Sequence, residues 1–284
     1  MDLVTRGKLK LDEPIRAYLP ELPPTYVDVT LRRLLDHQSG VFHESEAIFF
    51  DMTHYATSRA SLKAFVDSPL KFKPGTATQY SSQGVTVAGA AAESVTGQSF
   101  QQLSADFFAA KGLPGISLDD NFRIVPNRVR GYFVDRDSKT EIDGKASSRD
   151  YLSGTSGAIT NARDYDISAR YPAGGFVASG DDLMRFVLAV GSGKVLPPAA
   201  MEEMWSAQKT FDGAETVFGI GWGVSKWKGR SMVGMNGATP STTTLLRYFP
   251  TEGVGAAVLC NAEGAKDLAD LMDALLEATF DGFQ

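Results

Sequence analysis

Near its carboxyl end the chain carries two strand-like runs, Thr242 to Phe249 and Val254 to Cys260, separated only by Pro250-Thr251-Glu252-Gly253. Four turn-forming residues leave room for an antiparallel hairpin and none for the long crossover that parallel strands need. A helix is expected next. Leu268, Leu271, Met272, Leu275 and Leu276 form one apolar stripe, which should pack onto the sheet. The upstream pattern is helical. Thr30 is a good N-cap for Leu31 to His37, which Ser39-Gly40 closes. Residues 83–96 are alanine-rich, with Val87, Ala88, Ala91, Ala92 and Val95 on a helical period closed by Gly97. Ser99 with Gln102, and Ser179 with Asp182, have capping spacing for helices through Ala110 and to near Gly191. Helices first and sheet last predict an α+β architecture, an antiparallel sheet flanked by helices with a helical lobe. The reading is one domain over 1–284, with about 15–190 mostly helical lobe and loops and about 210–284 sheet hairpin and closing helix. Residues 133–165 are polar and read as a long excursion, either overhanging a site or a plain surface insertion.

Composition excludes several classes of function. A hydrophobic share of 43% over 284 residues supports a substantial core. The net charge of −6, with no Lys/Arg run, argues against a nucleic-acid partner. Cys260 is the single cysteine, so no internal disulfide forms, and its strand setting reads as a buried structural thiol. No apolar stretch is long enough to span a bilayer, and Met1 to Lys8 lack the apolar run of a signal peptide, which leaves localisation open. His37, His43 and His54 lack the compact spacing of a metal set, and His37 reads as a structural residue of a helix-end turn. Gly174-Gly175 has neither the lysine nor the pattern of a phosphate loop.

Tyr80-Ser81-Ser82 stands just after Pro74-Gly75-Thr76 and just before the alanine-rich helix. With it come, in order along the chain, Gly7-Lys8-Leu9-Lys10-Leu11-Asp12-Glu13-Pro14, then Thr30 to Gly40 (TLRRLLDHQSG), Val95-Thr96-Gly97, Ala173-Gly174-Gly175-Phe176 to Ser179 with Asp182-Leu183, and Phe218-Gly219-Ile220-Gly221-Trp222. This series resembles the β-lactamase-related serine hydrolases, which include class C β-lactamases, D-alanyl-D-alanine carboxypeptidases and esterases. The Ala173–Ser179 region and Ser82 lean towards the branch holding the mitochondrial β-lactamase-like protein. The resemblance implies amide or ester hydrolysis through an acyl-serine, a small-molecule substrate, and no metal or organic cofactor. It makes Tyr80 the phenol beside the nucleophile, with Ser82 in the place of the usual Asn. It makes Met235, Asn236, Gly237 and Ala238 the third-motif strand, with Ala238 at the oxyanion N–H. A free phenol titrates near 10, so acting as a base at neutral pH calls for neighbouring cations. Met235 occupies the place of a basic or imidazole group, and a thioether carries no charge.

The resemblance also calls for a serine and a lysine at i and i+3 on one helix. Three Ser-x-x-Lys spacings occur. Ser68–Lys71 runs into Pro74, which leaves no room for a helix. Ser225–Lys228 falls in an expected strand, and Ser206–Lys209, although compatible with a helix, follows the tyrosine motif against the family order. By that order the pair would stand about ten residues before Met1. The expectation is therefore an amino-terminally truncated member, inactive as it stands, whose uncovered sheet edge favours self-association. The alternative is a non-catalytic descendant that binds a ligand or partner.

Overall fold

A helix of small residues, Ser82–Thr96, runs through the main hydrophobic cluster of the fold. The computed structural model describes residues 1–43, 50–134, 159–162, 164–263, 265 and 267–282. In chain order the first helices are α1 (Asp2–Thr5), α2 (Leu31–Leu35), α3 (Ser58–Ser61), α4 (Ser82–Thr96) and α5 (Phe100–Ala110). Short strands β1 (Ser117–Leu118), β2 (Tyr132–Val134), β3 (Ile159–Asn161) and β4 (Phe176–Val177) follow, with helix α6 (Tyr171–Gly174) before β4. Helices α7 (Gly180–Gly191) and α8 (Pro198–Trp205) lead to β5 (Gly223–Trp227), β6 (Arg230–Thr239), β7 (Thr242–Phe249) and β8 (Val254–Cys260). The two-residue β9 (Ala262–Glu263) and helix α9 (Leu268–Asp281) close the chain. The α+β class expected from the sequence is the one observed.

The caps form as predicted. Thr30 accepts from the Arg33 N–H, Ser99 from Gln102 and Ser179 from Asp182. Helix α2 stops at Leu35, two residues short of the expected end, because His37 turns to a left-handed φ of 60°. Of the residues expected on a helical period, Val87, Ala88, Ala91 and Ala92 are buried, and burial extends nearly all round α4, since Gln83, Gly84, Thr86 and Gly89 are buried as well. Small side chains allow this: a Cβ on Gly89 would run into the Pro172 ring.

The main sheet runs β5-β6-β7-β8 and is antiparallel throughout, with the predicted β7–β8 hairpin in register from Thr243 opposite Cys260 to Phe249 opposite Val254. Leu245, Phe249 and Ala256 pack with Met272 and Leu276 of α9 on one face, and Val233 and Tyr248 pack with Val187 and Trp222 on the other. The stripe on α9 is thus only half used, because Leu271 and Leu275 remain 54% and 40% exposed. Cys260 lies in a strand as expected, but half-buried at the sheet edge rather than in the core. Among the described residues no helix is long and apolar enough to cross a membrane. Most of the 133–165 excursion lies outside the described residues. At its ends, Tyr132–Val134 pairs antiparallel with Ile159–Asn161.

Candidate active site

The segment that carries Tyr80 is laid down by the turn after α2. The Gly75 N–H donates to the Gln38 carbonyl at 2.8 Å and the Gln79 N–H to the His37 carbonyl at 2.9 Å. Gly75 has φ +80°, and a Cβ there would strike the Phe211 ring, so no other residue fits without displacement. Ser81 then ends the extended run and starts α4, its Oγ accepting the Gly84 N–H at 2.9 Å and donating to the Phe42 carbonyl at 2.9 Å. Ser81 is therefore the N-cap, with Ser82 the first helical residue and itself buried. Tyr80 keeps 37% exposure at the helix start.

Two imidazoles flank the phenol ring. The His37 ring centroid lies 4.5 Å from that of Tyr80 and the His43 centroid 5.2 Å away, the latter edge-on. Phe218 completes the aromatic group at 4.6 Å from His37 and 6.5 Å from Tyr80. The backbone N–H groups of Ser81 and Ser82 donate to Nδ1 of His37 and of His43, each at 3.3 Å. Accepting at Nδ1 places the remaining proton of a neutral ring on Nε2. Among the described residues nothing hydrogen-bonds the Tyr80 hydroxyl, so the imidazoles border the ring without contacting its oxygen through a hydrogen bond. The sequence reading gave His37 a structural role only and missed both contacts to Tyr80. The single available signal was the closeness of the two histidines to the Ser39-Gly40 turn, which does not say where that turn points.

His37 is buried, and burial, reinforced by His43, drives its pKa down to about 4. An unfolded histidine takes its proton near 6.5, before the folded one does. Stability from this group is thus complete above about 6.5 and is lost as pH falls toward 4. His37→Asn tolerates the left-handed φ and offers a carbonyl to the Ser81 N–H. Between pH 7 and pH 4.5, urea titration should show the wild type losing about 2–3 kcal/mol more than this variant, at about 1.4 kcal/mol per pH unit. Equal losses in the two proteins would remove His37 as the acid-sensitive group.

Met235, Asn236, Gly237 and Ala238 lie on β6. There they pair with Leu246, Leu245, Thr244 and Thr243 of β7. β5 covers the other edge of β6 only as far as Gly234, and beyond that point no strand among the described residues covers the β6 edge. A Cβ on Gly237 would run into Thr244 Oγ1. Asn236 and Ala238 are exposed, and Met235 and Gly237 are half-buried. The ring contacts of Tyr80 are with His37, His43 and Phe218, none of them on β6. The Phe218–Trp222 segment joins the two halves: Ile220 is buried in the helical cluster, Trp222 in the sheet cluster, and the Gly221 N–H donates to the Leu35 carbonyl at 2.9 Å.

Elsewhere, His54 Nδ1 lies 2.9 Å from the buried carboxylate of Asp166, which also accepts the Ser168 N–H at 2.8 Å. Among the described residues no three His, Cys, Asp or Glu side chains come together as metal ligands.

The family model described as Beta-lactamase matches residues 1–279. The esterase EstB of Burkholderia gladioli is 29% identical over 242 residues, covering 78% of this chain and 60% of that protein. The human mitochondrial serine beta-lactamase-like protein LACTB is 21% identical, over 90% of this chain and 63% of that protein. The chain thus spans about three-fifths of the length of these relatives. Among solved structures, the D-amino acid amidase of Ochrobactrum anthropi SV3 superposes with a TM-score of 0.82 at 21% identity, covering 99% of this chain and 81% of that one, which shows a shared fold.

Proposed function

Because the chain belongs to the beta-lactamase family, we propose that it is part of a serine hydrolase acting on small amides or esters through an acyl-serine, whose nucleophile and lysine lie outside these 284 residues. The observation that carries the reading is Tyr80, half-exposed just before α4 with two imidazoles against its ring. In this reading the phenol passes the proton between the serine and the leaving group, and the uncovered β6 edge at Ala238 offers its N–H to the developing oxyanion. The chemistry requires no metal or organic cofactor. The amide or ester class is supported by the esterase and the D-amino acid amidase to which the chain is similar.

None of the chain's own Ser-x-x-Lys spacings forms the required pair. Ser68–Lys71 lies outside any helix. Ser206 is the residue after α8, and Lys209 lies in an isolated bridge to Glu215, so the helical geometry compatible with that sequence does not form. Ser225 is in β5, and Lys228 sits in the following turn with φ 45°. The 284-residue chain should therefore show no stoichiometric mass increase with penicillin or a fluorophosphonate probe. A single covalent adduct would overturn that expectation. The second reading, a non-catalytic binding protein, is favoured by Met235, which puts a neutral thioether where the resemblance expects a cation. A longer gene product bearing Ser-x-x-Lys upstream separates the two: an acyl adduct lost in Tyr80→Phe supports the hydrolase, and the absence of any adduct supports the binding protein.

A further inference from the structure

His37 stands in a conformation that does not favour it. Its φ of 60° is the left-handed region that any residue with a Cβ avoids, and its polar ring is buried. The turn itself does not require an imidazole. Its backbone bonds, from the Gln38 N–H to the Arg33 carbonyl and from the Gly75 N–H to the Gln38 carbonyl, involve no side chain at position 37. Glycine or asparagine takes a left-handed φ more readily. A strained residue of this kind points to a role beyond the turn.

The other contacts of His37 all converge on Tyr80. Its carbonyl accepts the Gln79 N–H at 2.9 Å and its Nδ1 accepts the Ser81 N–H at 3.3 Å, so both chain neighbours of Tyr80 are bonded to this one residue. Its ring centroid lies 4.5 Å from that of Tyr80. The imidazole is supported from a second side by Phe218, T-shaped to it at 4.6 Å. Phe218 is fixed in turn: its carbonyl accepts the Gln208 N–H at 2.8 Å, and Ile220 just beyond it is buried in the helical cluster. Burial, with His43 adding to it, pushes the His37 pKa down to about 4, so at pH 7 Nδ1 carries no proton and stays an acceptor.

We propose that His37 is a positioning residue for Tyr80: its ring, set by the left-handed turn and by Phe218, fixes the side-chain rotamer of the phenol. The proposal rests on the reading of Tyr80 as the proton carrier, whose hydroxyl must keep one direction for the transfer. A side chain as exposed as Tyr80 otherwise exchanges rapidly between rotamers.

The first test uses the 284-residue chain. His37→Asn keeps the left-handed turn and a carbonyl for the Ser81 N–H but removes the ring. NMR of Tyr80, assigned by its loss in Tyr80→Phe, should show the Hα–Hβ couplings of a single χ1 rotamer in the wild type. In His37→Asn at pH 7 the couplings should be averaged, with circular dichroism unchanged. Phe218→Leu, which leaves His37 in place and weakens its support, should move the couplings the same way by a smaller amount, and it carries the test if His37→Asn fails to fold. In a longer gene product that acylates, His37→Asn should slow acylation on the order of tenfold to a hundredfold with KM within about twofold, because a misplaced proton carrier affects the chemical step and not binding. The proposal falls if Tyr80 is rotamer-averaged in the wild type, if neither variant changes its couplings, or if the longer product carrying His37→Asn acylates at the wild-type rate or loses only in KM. A longer product that forms no adduct with the wild-type sequence defeats the hydrolase reading instead, and the couplings alone then decide whether His37 fixes the phenol.

Discussion

Glu93→Ala should destabilise the protein by about 3–5 kcal/mol, because three hydrogen bonds to one buried carboxylate disappear together. Glu93 sits in the last turn of α4 and is almost fully buried. One of its oxygens accepts the Ser58 N–H at 2.8 Å and the Phe100 N–H at 2.8 Å, and the other accepts the Arg59 N–H at 2.9 Å. Those donors are the first residues of α3 and α5, where N–H groups have no partner inside their own helix. A negative charge there also suits the positive ends of both helices. Alanine leaves the donors pointing into a closed space, each costing about 1–3 kcal/mol to the extent that water fails to reach it. Glutamine should recover little, since its NH2 group would face N–H donors. Thermal unfolding should show a Tm lower by roughly 10 °C for alanine. A loss under 1 kcal/mol would mean that water or a local shift replaces the carboxylate, and that α3, α4 and α5 are not held through it.

Glu93 also marks where reading from sequence stops. Local signals were recoverable: Thr30, Ser99 and Ser179 cap helices because an N-cap bonds an N–H three residues ahead, and Pro250–Gly253 turns the hairpin because nothing else spans so short a gap. The start of α4, and with it the placing of Tyr80 and Ser82, follows from the same short-range rule through Ser81. The donors to Glu93, in contrast, come from positions 35 and 34 residues upstream as well as 7 downstream, and a lone glutamate among alanines says nothing of them. The same holds for the site. His37 meets Tyr80 only because its left-handed φ reverses the chain after α2, and His43 only because the next strand of chain returns past Ser82. On α9 the periodic leucines named a stripe wider than the sheet covers. Periodicity reports which residues share a face, not how much of that face finds a partner.

Arg33→Met should be the second large effect, and its size should depend on pH. The Asp36 carboxylate is fully buried, accepting from Arg33 Nη1 at 2.9 Å, from the Gln38 N–H at 3.1 Å and from Gln38 Nε2 at 3.0 Å. Arg33 also donates to the Lys209 carbonyl and lies over the Phe211 ring, so the pair binds the turn after α2 to the segment that packs on Gly75. Burial pushes the Asp36 carboxyl up to about 6, while Arg33 pulls it down. Removing the guanidinium strands a buried charge, which should cost about 3–5 kcal/mol at pH 7.5. The sign follows from proton counting. With a folded pKa above the unfolded value near 3.9, the folded state holds the proton longer, so stability from this group is present at low pH and lost as pH rises through the folded pKa. Losing Arg33 raises that pKa further, so the deficit should shrink by at least 1 kcal/mol between pH 7.5 and pH 5, measured by urea titration beside the wild type. Adding Asp36→Asn should restore most of the loss at pH 7.5, because no charge is then left unpaired. The same turn carries His37 against Tyr80, so the single variant should also loosen the phenol, visible as faster exchange at Gln79 and Ser81. A deficit that is constant with pH, and that Asp36→Asn does not relieve, would show that Arg33 acts by packing on Phe211 and not by holding a buried carboxylate.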